Sequence, residues 1–205
     1  MVTPLKKPNS TRPAPTSRGA RSRKPPLGRE AWLTTARDSL IREGIRSVEV
    51  GRLARKLKVT RGGFYWFFTS RKQLLDELLG DWERTNNAAF KAVLTNPDGD
   101  GMARFLAVVD IWINEAKYSP PWDAAIRDWA RVSTKVATTV RRVDDERIAV
   151  LAQVFRDMGY PDDEAFVRAR VTYFHQVGYY ALDVRETREA RLQLLPIYTR
   201  ILTGR

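Results

Sequence analysis

Residues 44–75, GIRSVEVGRLARKLKVTRGGFYWFFTSRKQLL, combine basic, hydroxyl and aromatic side chains at close spacing. These groups suit binding rather than bond-making. Ammonium, guanidinium, hydroxyl and phenol groups satisfy phosphate oxygens. A planar guanidinium such as that of Arg61 matches the edge of guanine, and an aromatic such as Trp66 can press on a thymine methyl. Little else in the chain has the makings of a reactive centre. There is no cysteine, which excludes disulfides, thiolate catalysis and Cys-based zinc sites. No Gly-rich phosphate loop, metal-ligand cluster or Ser/Cys-His arrangement is present, and His175 is the only histidine. The adjacent acids Asp144-Asp145-Glu146 and Asp162-Asp163 read as solvated surface or N-caps. The chain is expected to be no enzyme and to need no metal or cofactor.

The elements that position these groups follow from apolar spacing. A first helix is expected from about Arg29 to Glu43, with Trp32, Leu33, Ala36, Leu40 and Ile41 on one face and Gly44 as its stop. Ser47 is a candidate N-cap for a second helix, with Glu49 in its first turn and Leu53, Ala54 and Leu57 inward. Thr60 would cap a short third helix and Ser70 a long fourth. Phe64 and Phe68, four apart, pack inward, leaving Arg61, Gly62, Tyr65 and Trp66 outside. Such a helix-turn-helix offers one short helix to a DNA groove.

This segment resembles the DNA-binding domain of the tetracycline-repressor (TetR) family of transcription regulators. The resemblance rests on Gly44, Leu53-Ala54, Val59-Thr60, Gly62, Phe64-Tyr65, Phe68 and Ser70-Arg71, in order and spacing, over about residues 29–76. It implies that Thr60 caps the recognition helix and offers its hydroxyl to phosphate. It further implies that Tyr65 hydrogen-bonds a phosphate and that Arg71 pins the backbone at the start of the fourth helix, with Ser47 and Arg29 as further anchors. Such contacts position the protein without reading sequence; Arg61 and Trp66 are the candidates for base contact.

The chain departs from the pattern in three places. Arg71 stands where the family usually has Lys. Lys58 stands where a turn glycine is common, and a left-handed conformation there would cost about 1 kcal/mol. Gly63 follows Gly62, and two glycines in so short a helix cost on the order of 1 kcal/mol each relative to alanine. The recognition helix is therefore expected to be weakly formed away from DNA, with specificity leaning on few contacts and on DNA shape.

The net charge is +12, of which residues 1–28 contribute seven basic side chains and no acid, leaving +5 on the rest. That stretch also has six of the eleven prolines, so a disordered basic tail is expected, adding salt-sensitive attraction to phosphate. It lacks the apolar stretch of a secretory signal, and no apolar run approaches the roughly 20 residues of a membrane helix, so a soluble cytoplasmic protein is expected.

Beyond the head, from residue 77 to 205, helical spacing recurs and strand alternation is scarce. The turn-rich Asn96-Pro97-Asp98-Gly99-Asp100-Gly101 breaks the chain. Five more helices are expected, giving an all-α protein of about nine. Pro121 opens the sixth, the eighth runs to about Val184, and Pro196 kinks or interrupts the ninth. Phe174, Val177, Gly178 and Ala181 of the eighth, with Leu195, Tyr198 and Leu202 of the ninth, are candidates for a homodimer seam; one short helix reads too few bases alone. The aromatic-rich bundle offers Phe105, Trp112, Tyr118, Trp122, Trp129, Tyr173, His175 and Gln176 as candidates to line a pocket for a small apolar or aromatic effector, with Arg127 as a further polar group. An aromatic core accounts for the same spacing. The sequence is thus expected to encode a dimeric regulator of double-stranded DNA, most simply a repressor released from a palindromic operator by an inducer. The alternative is a DNA-bound adaptor whose C-terminal part holds another protein.

Overall fold

The computed structural model describes residues 28–95 and 99–205. The expected basic tail, apart from Gly28, and the first half of the 96–101 turn (96–98) lie outside the described residues. Among those described there are eight α-helices, two 3-10 turns and no strand: α1 (Arg29–Glu43), α2 (Val50–Leu57), α3 (Arg71–Val93), α4 (Gly101–Asn114), α5 (Pro120–Ala130), α6 (Thr134–Asp157), α7 (Asp162–Ala181) and α8 (Arg188–Thr203). The 3-10 turns are Ile45–Ser47 and Arg61–Trp66. No helix among the described residues is long and apolar enough to cross a membrane.

Local chemistry sets most boundaries. Gly44 ends α1 at φ +76°, and its N–H returns to the Leu40 carbonyl. The Ser70 hydroxyl caps α3 by accepting from the Gln73 N–H, and Asp100 caps α4 through Ala103. Pro120 and Pro121 occupy the first turn of α5, where a missing N–H costs nothing. Three expected helices differ from the structure. The recognition segment is a six-residue 3-10 turn rather than an α-helix, as the pair Gly62-Gly63 gives little to hold one. α7 stops at Ala181, and Asp183 two residues on is left-handed at φ +51°. α8 runs unbroken through Pro196, near the helix middle.

Two apolar clusters form. The first gathers Trp32, Ala36, Leu40, Leu53, Ala54, Phe64, Phe68 and the first half of α3, together with Trp122, Ile126 and Trp129 of α5 and Val136, Val140 and Val143 of α6. The second gathers Phe90, Phe105, Val108, Trp112, Leu151, Phe155, Ala169 and Tyr173. α3 and α6 contribute to both, and the N-terminal head is packed onto the body through α5 and the first half of α6.

Between the clusters lies a buried polar knot. The Arg147 guanidinium, 1% exposed, donates to Asp123 Oδ1 at 3.2 Å, Tyr173 Oη at 3.2 Å and the Asn86 carbonyl at 3.0 Å. Asp123 also accepts from Trp82 Nε1 at 3.3 Å and Arg127 Nε at 2.7 Å. Arg127 forks onto both oxygens of Asp144 at 2.9 and 2.6 Å, and the Tyr173 hydroxyl donates to Asp144 at 2.6 Å. Asp144 is therefore half-buried and tied into the knot, against the expectation of a freely solvated acid. Asn86 grips the start of α5, donating to the Ser119 carbonyl and accepting its N–H, both at 3.2 Å.

A close approach fixes how α4 meets α6. A Cβ on Gly101 would lie 2.5 Å from the Met158 backbone nitrogen and 2.7 Å from the Asp157 carbonyl carbon. Gly101→Ala is expected to cost about 1–3 kcal/mol as the two helix ends are forced apart, read as a lower thermal midpoint with unchanged helical circular dichroism at 20 °C.

Candidate functional site

Between Gly44 and Lys72 the chain has eight basic residues against one acid, Glu49. Arg46, Arg52, Arg55, Lys58, Arg61 and Lys72 are all exposed there, making the head's surface strongly cationic. The recognition turn is anchored from beneath. Phe64 is fully buried, stacks on Phe68 at 5.1 Å between centroids and meets Trp32 edge-on at 5.3 Å. Four residues apart, these two phenylalanines fix which side of the turn faces out. Tyr65 stands edge-on to Phe64 with most of its ring in solvent, and Trp66 is 86% exposed with no ring contact among the described residues. Packing on Phe67 or on the domain does not account for Trp66. An indole left in water is costly, and its place at the tip of the head suits a surface partner.

Lys58 ends α2 in the left-handed region, φ +58° and ψ +41°, so the turn keeps the geometry that a glycine would give it. Arg61 folds back over α2: a Cβ on Gly51 would meet its Nε at 3.2 Å. Gly51 thereby makes room for that guanidinium, a role that sequence reasoning did not assign. Thr60 occupies the N-cap position, but its side chain makes no capping bond; the Gly63 N–H returns to the Thr60 carbonyl at 3.1 Å. Its hydroxyl is at an exposed residue beside Gly62 and Gly63, both open to approach.

The anchors expected further out divide. Ser47 is neither an N-cap nor a surface group. It closes the Ile45–Ser47 turn, is 1% exposed, and its hydroxyl lies 2.9 Å from the Ser39 carbonyl and 2.7 Å from that of Gly44; α2 starts later, from Glu49. A hydroxyl sequestered this way is out of reach of a phosphate. Arg71 donates to the Val48 carbonyl at 2.5 Å and that of Ile45 at 3.2 Å, latching the α1–α2 connection onto α3. Arg29 pairs with Glu77 and lies over the Phe68 ring at 4.8 Å.

In the body, Phe105, Trp112, His175 and Gln176 line a cavity of about 60 Å³ between α4, α7 and α8. Tyr118 and Tyr173 instead line a cleft of about 370 Å³ beside Asp123 and Arg127, to which Trp112 and Gln176 also contribute. Trp122 and Trp129 line neither; they are buried in the cluster that joins α5 to the head. His175 is exposed at the mouth of the first cavity. Its ring lies 5.0 Å from that of Tyr198, and burial lowers its pKa.

The expected seam residues occupy α7 and α8. Phe174, Ala181 and Tyr198 are exposed, and Val177, Gly178, Leu195 and Leu202 are partly so. Val167, Val171, Ile197 and Ile201 extend the same apolar surface, each about half exposed or more. The periodicity of α7 contained this signal, but the first two valines fall on the turns before the residues chosen.

Together, the all-helical fold, the cationic head and its outward aromatic turn have the layout of a helix-turn-helix DNA-binding protein. Residues 33–78 match the family model for bacterial regulatory proteins of the tetR family. The ketosteroid transcriptional regulator KstR2 of Mycobacterium tuberculosis has a similar structure, with a TM-score of 0.64 at 17% identity over 88% of this chain and 95% of that one. A transcriptional regulator of the TetR/AcrR family from Thermobifida fusca aligns with a TM-score of 0.60 at 14% identity over 85% and 96%. NemR of E. coli, in its reduced form, aligns at 0.58 and 17% identity over 86% and 92%. No curated protein matches the chain in sequence. Residues 33–78 thus resemble the head of the TetR family of bacterial regulatory proteins, and the chain has the fold of these solved regulators.

The polar knot has a definite electrostatic sign. Burial by itself would raise the Asp123 carboxyl, but the guanidinium groups of Arg147 and Arg127 outweigh it and hold its pKa below the usual carboxylate range. Burial also pushes the Tyr173 phenol up to about 12, which keeps it a neutral donor. A depressed carboxylate contributes stability that is fully present above its unfolded pKa near 3.9 and lost as pH falls through the lower folded value. Asp123→Asn is expected to cost about 3–5 kcal/mol at pH 7, because it leaves Arg147 buried beside a neutral amide. Urea midpoints from pH 7 down to pH 2 should show that penalty shrinking below about pH 4.

Proposed function

We propose that the chain is a dimeric, effector-responsive repressor that binds a palindromic operator with two heads. Exposed Trp66 carries the DNA half of this reading: it stands at the end of a turn rimmed by cations and clear of the protein's own packing. Arg61 and Trp66 are the base readers. Thr60, Tyr65, Arg71 and Arg29 hold phosphates, and bare Gly62 and Gly63 let the backbone approach. Ser47 has only an indirect part, through the α1–α2 connection that it braces. The expected 1–28 tail adds nonspecific attraction, and the protein works in the cytoplasm.

The dimer half rests on the α7–α8 surface. Apolar area of this extent on two adjacent helices is unusual for a monomer, and a second copy would cover it about a two-fold axis. The two heads then meet successive major-groove faces at a spacing set by the duplex. The effector half rests on the cavity against α7 and α8. Tyr173 of the knot is on the same helix as the cavity residues Thr172 and Gln176, and the knot includes Asp123 on α5, which packs against the head. A ligand that displaces α7 or α8 would shift the heads, and operator and ligand would antagonise each other to equal extents.

Selection of binding sites from random duplex DNA with the full chain is expected to return an inverted repeat. On that site, Arg61→Ala or Trp66→Ala should cost about 1–3 kcal/mol and relax one position per half-site, with the thermal midpoint unchanged. Recovery of no motif, with binding that vanishes as salt rises, would leave only phosphate attraction. In sedimentation, wild-type protein is expected as a dimer. Phe174→Glu combined with Ile201→Glu should give folded monomers that bind the inverted repeat more than tenfold more weakly; a folded, tight-binding variant that stays dimeric would place the seam elsewhere.

A further inference from the structure

Three buried polar atoms of the cavity between α4, α7 and α8 have no hydrogen-bond partner in the protein: Thr172 Oγ1, Gln176 Nε2 and Thr199 Oγ1. Thr172 and Gln176 are four residues apart on α7 and so share one face, at 1% and 8% exposure. Thr199 projects from α8. Leaving a buried donor unanswered is destabilising, and three around one cavity are a costly arrangement unless something answers them. The rest of the wall, Phe105, Val109, Trp112 and Leu195 among it, is apolar.

The charged side chains at this cavity are already engaged. Arg191 pairs with Glu115 at 3.2 Å and lies over the Tyr179 ring at 4.9 Å. Glu186 accepts from the Tyr179 hydroxyl at 3.2 Å. Burial lowers the pKa of His175, so its ring is neutral at pH 7. An anionic ligand would meet no available cation here and would face Glu186; a cationic one would have to draw Glu186 away from Tyr179. An amide Nε2 can only donate. A carbonyl oxygen, with two lone pairs, can accept from Gln176 and Thr172 together, while Thr199 closes from the other side.

We infer that this cavity takes an uncharged, mainly apolar molecule bearing a carbonyl group, bound through Gln176 and Thr172 of α7 and touched by Thr199 of α8. This rests on the effector-responsive reading and specifies its ligand class. At about 60 Å³ the cavity is smaller than the roughly 150 Å³ that admits benzene, so binding displaces α8. Within this chain Thr203 is the one buried residue of that helix.

The test uses acetophenone, ethylbenzene and benzoate, which are close in shape and differ in the group offered. Binding to the full-length protein at pH 7 is followed by ligand-observed NMR, with the Trp112 indole N–H resonance locating the site. Acetophenone is expected to bind about tenfold more tightly than ethylbenzene and to move the Trp112 resonance, with benzoate failing to compete. Gln176→Leu should remove the ketone's advantage. Because it also removes an unanswered buried donor, it should raise the thermal midpoint by about 2–4 °C. Equal binding of ketone and hydrocarbon, preference for benzoate, binding of none of the three, or a lowered midpoint in Gln176→Leu would each overturn the inference. Operator binding by the same preparation, with and without acetophenone, separates the two levels. A ketone that binds at Trp112 without releasing DNA overturns the effector reading alone; a charged compound that binds there and releases DNA overturns the ligand class alone.

Discussion

Arg147 is the charge around which this protein is built. An arginine so deeply buried is tolerable only if most of its donors are met; its two terminal nitrogens bond to groups from α3, α5 and α7, while its Nε is left without a partner. One side chain of α6 therefore fixes the relative placement of four helices. Apolar packing alone would allow those helices to slide over one another at modest cost; a guanidinium with fixed donor directions does not. Asp123, Asn86 and Tyr173 derive their orientation from it, and Asp123 sits on the helix that also supports the head.

The head is built on the opposite principle. Its recognition turn has one buried anchor, Phe64, two glycines and an exposed edge of Thr60, Arg61, Tyr65 and Trp66. Little of the backbone there is restrained by side-chain packing, whereas α3 beneath it is capped and continuous. A reading element of this kind can adjust to the groove while its base stays in place.

Much of this was legible in the sequence because the signals were local. The helix start at Ser70, the stop at Gly44 and the inward pair Phe64 and Phe68 all depend on residues within four positions of one another. The misplaced features depend on distant partners. Ser47 has the composition of an N-cap, and only the approach of the Ser39 carbonyl across the α1–α2 connection turns it inward. Asp144 looks like a surface acid beside Asp145 until Arg127, seventeen residues away, arrives against it. Trp122 and Trp129 have the spacing of a pocket wall, and the surface they meet belongs to the head. Arg147 carried no sequence signal at all: nothing near it separates a buried arginine from the exposed Arg141 and Arg142.

The sharing of α5 and the first half of α6 between head and body bears on portability. Severing the chain after residue 76 to graft this head onto another scaffold would strip Trp122, Ile126 and Trp129 from Trp32 and Ala36, baring a large aromatic surface on both fragments. A transplantable reading unit must take those two helical segments with it, or have their contacts rebuilt by the recipient. The same coupling means that drift in the body's sequence is screened by the head: a substitution at Trp122 or Ile126 would be felt in the head's packing even though neither residue lies near its outer turn.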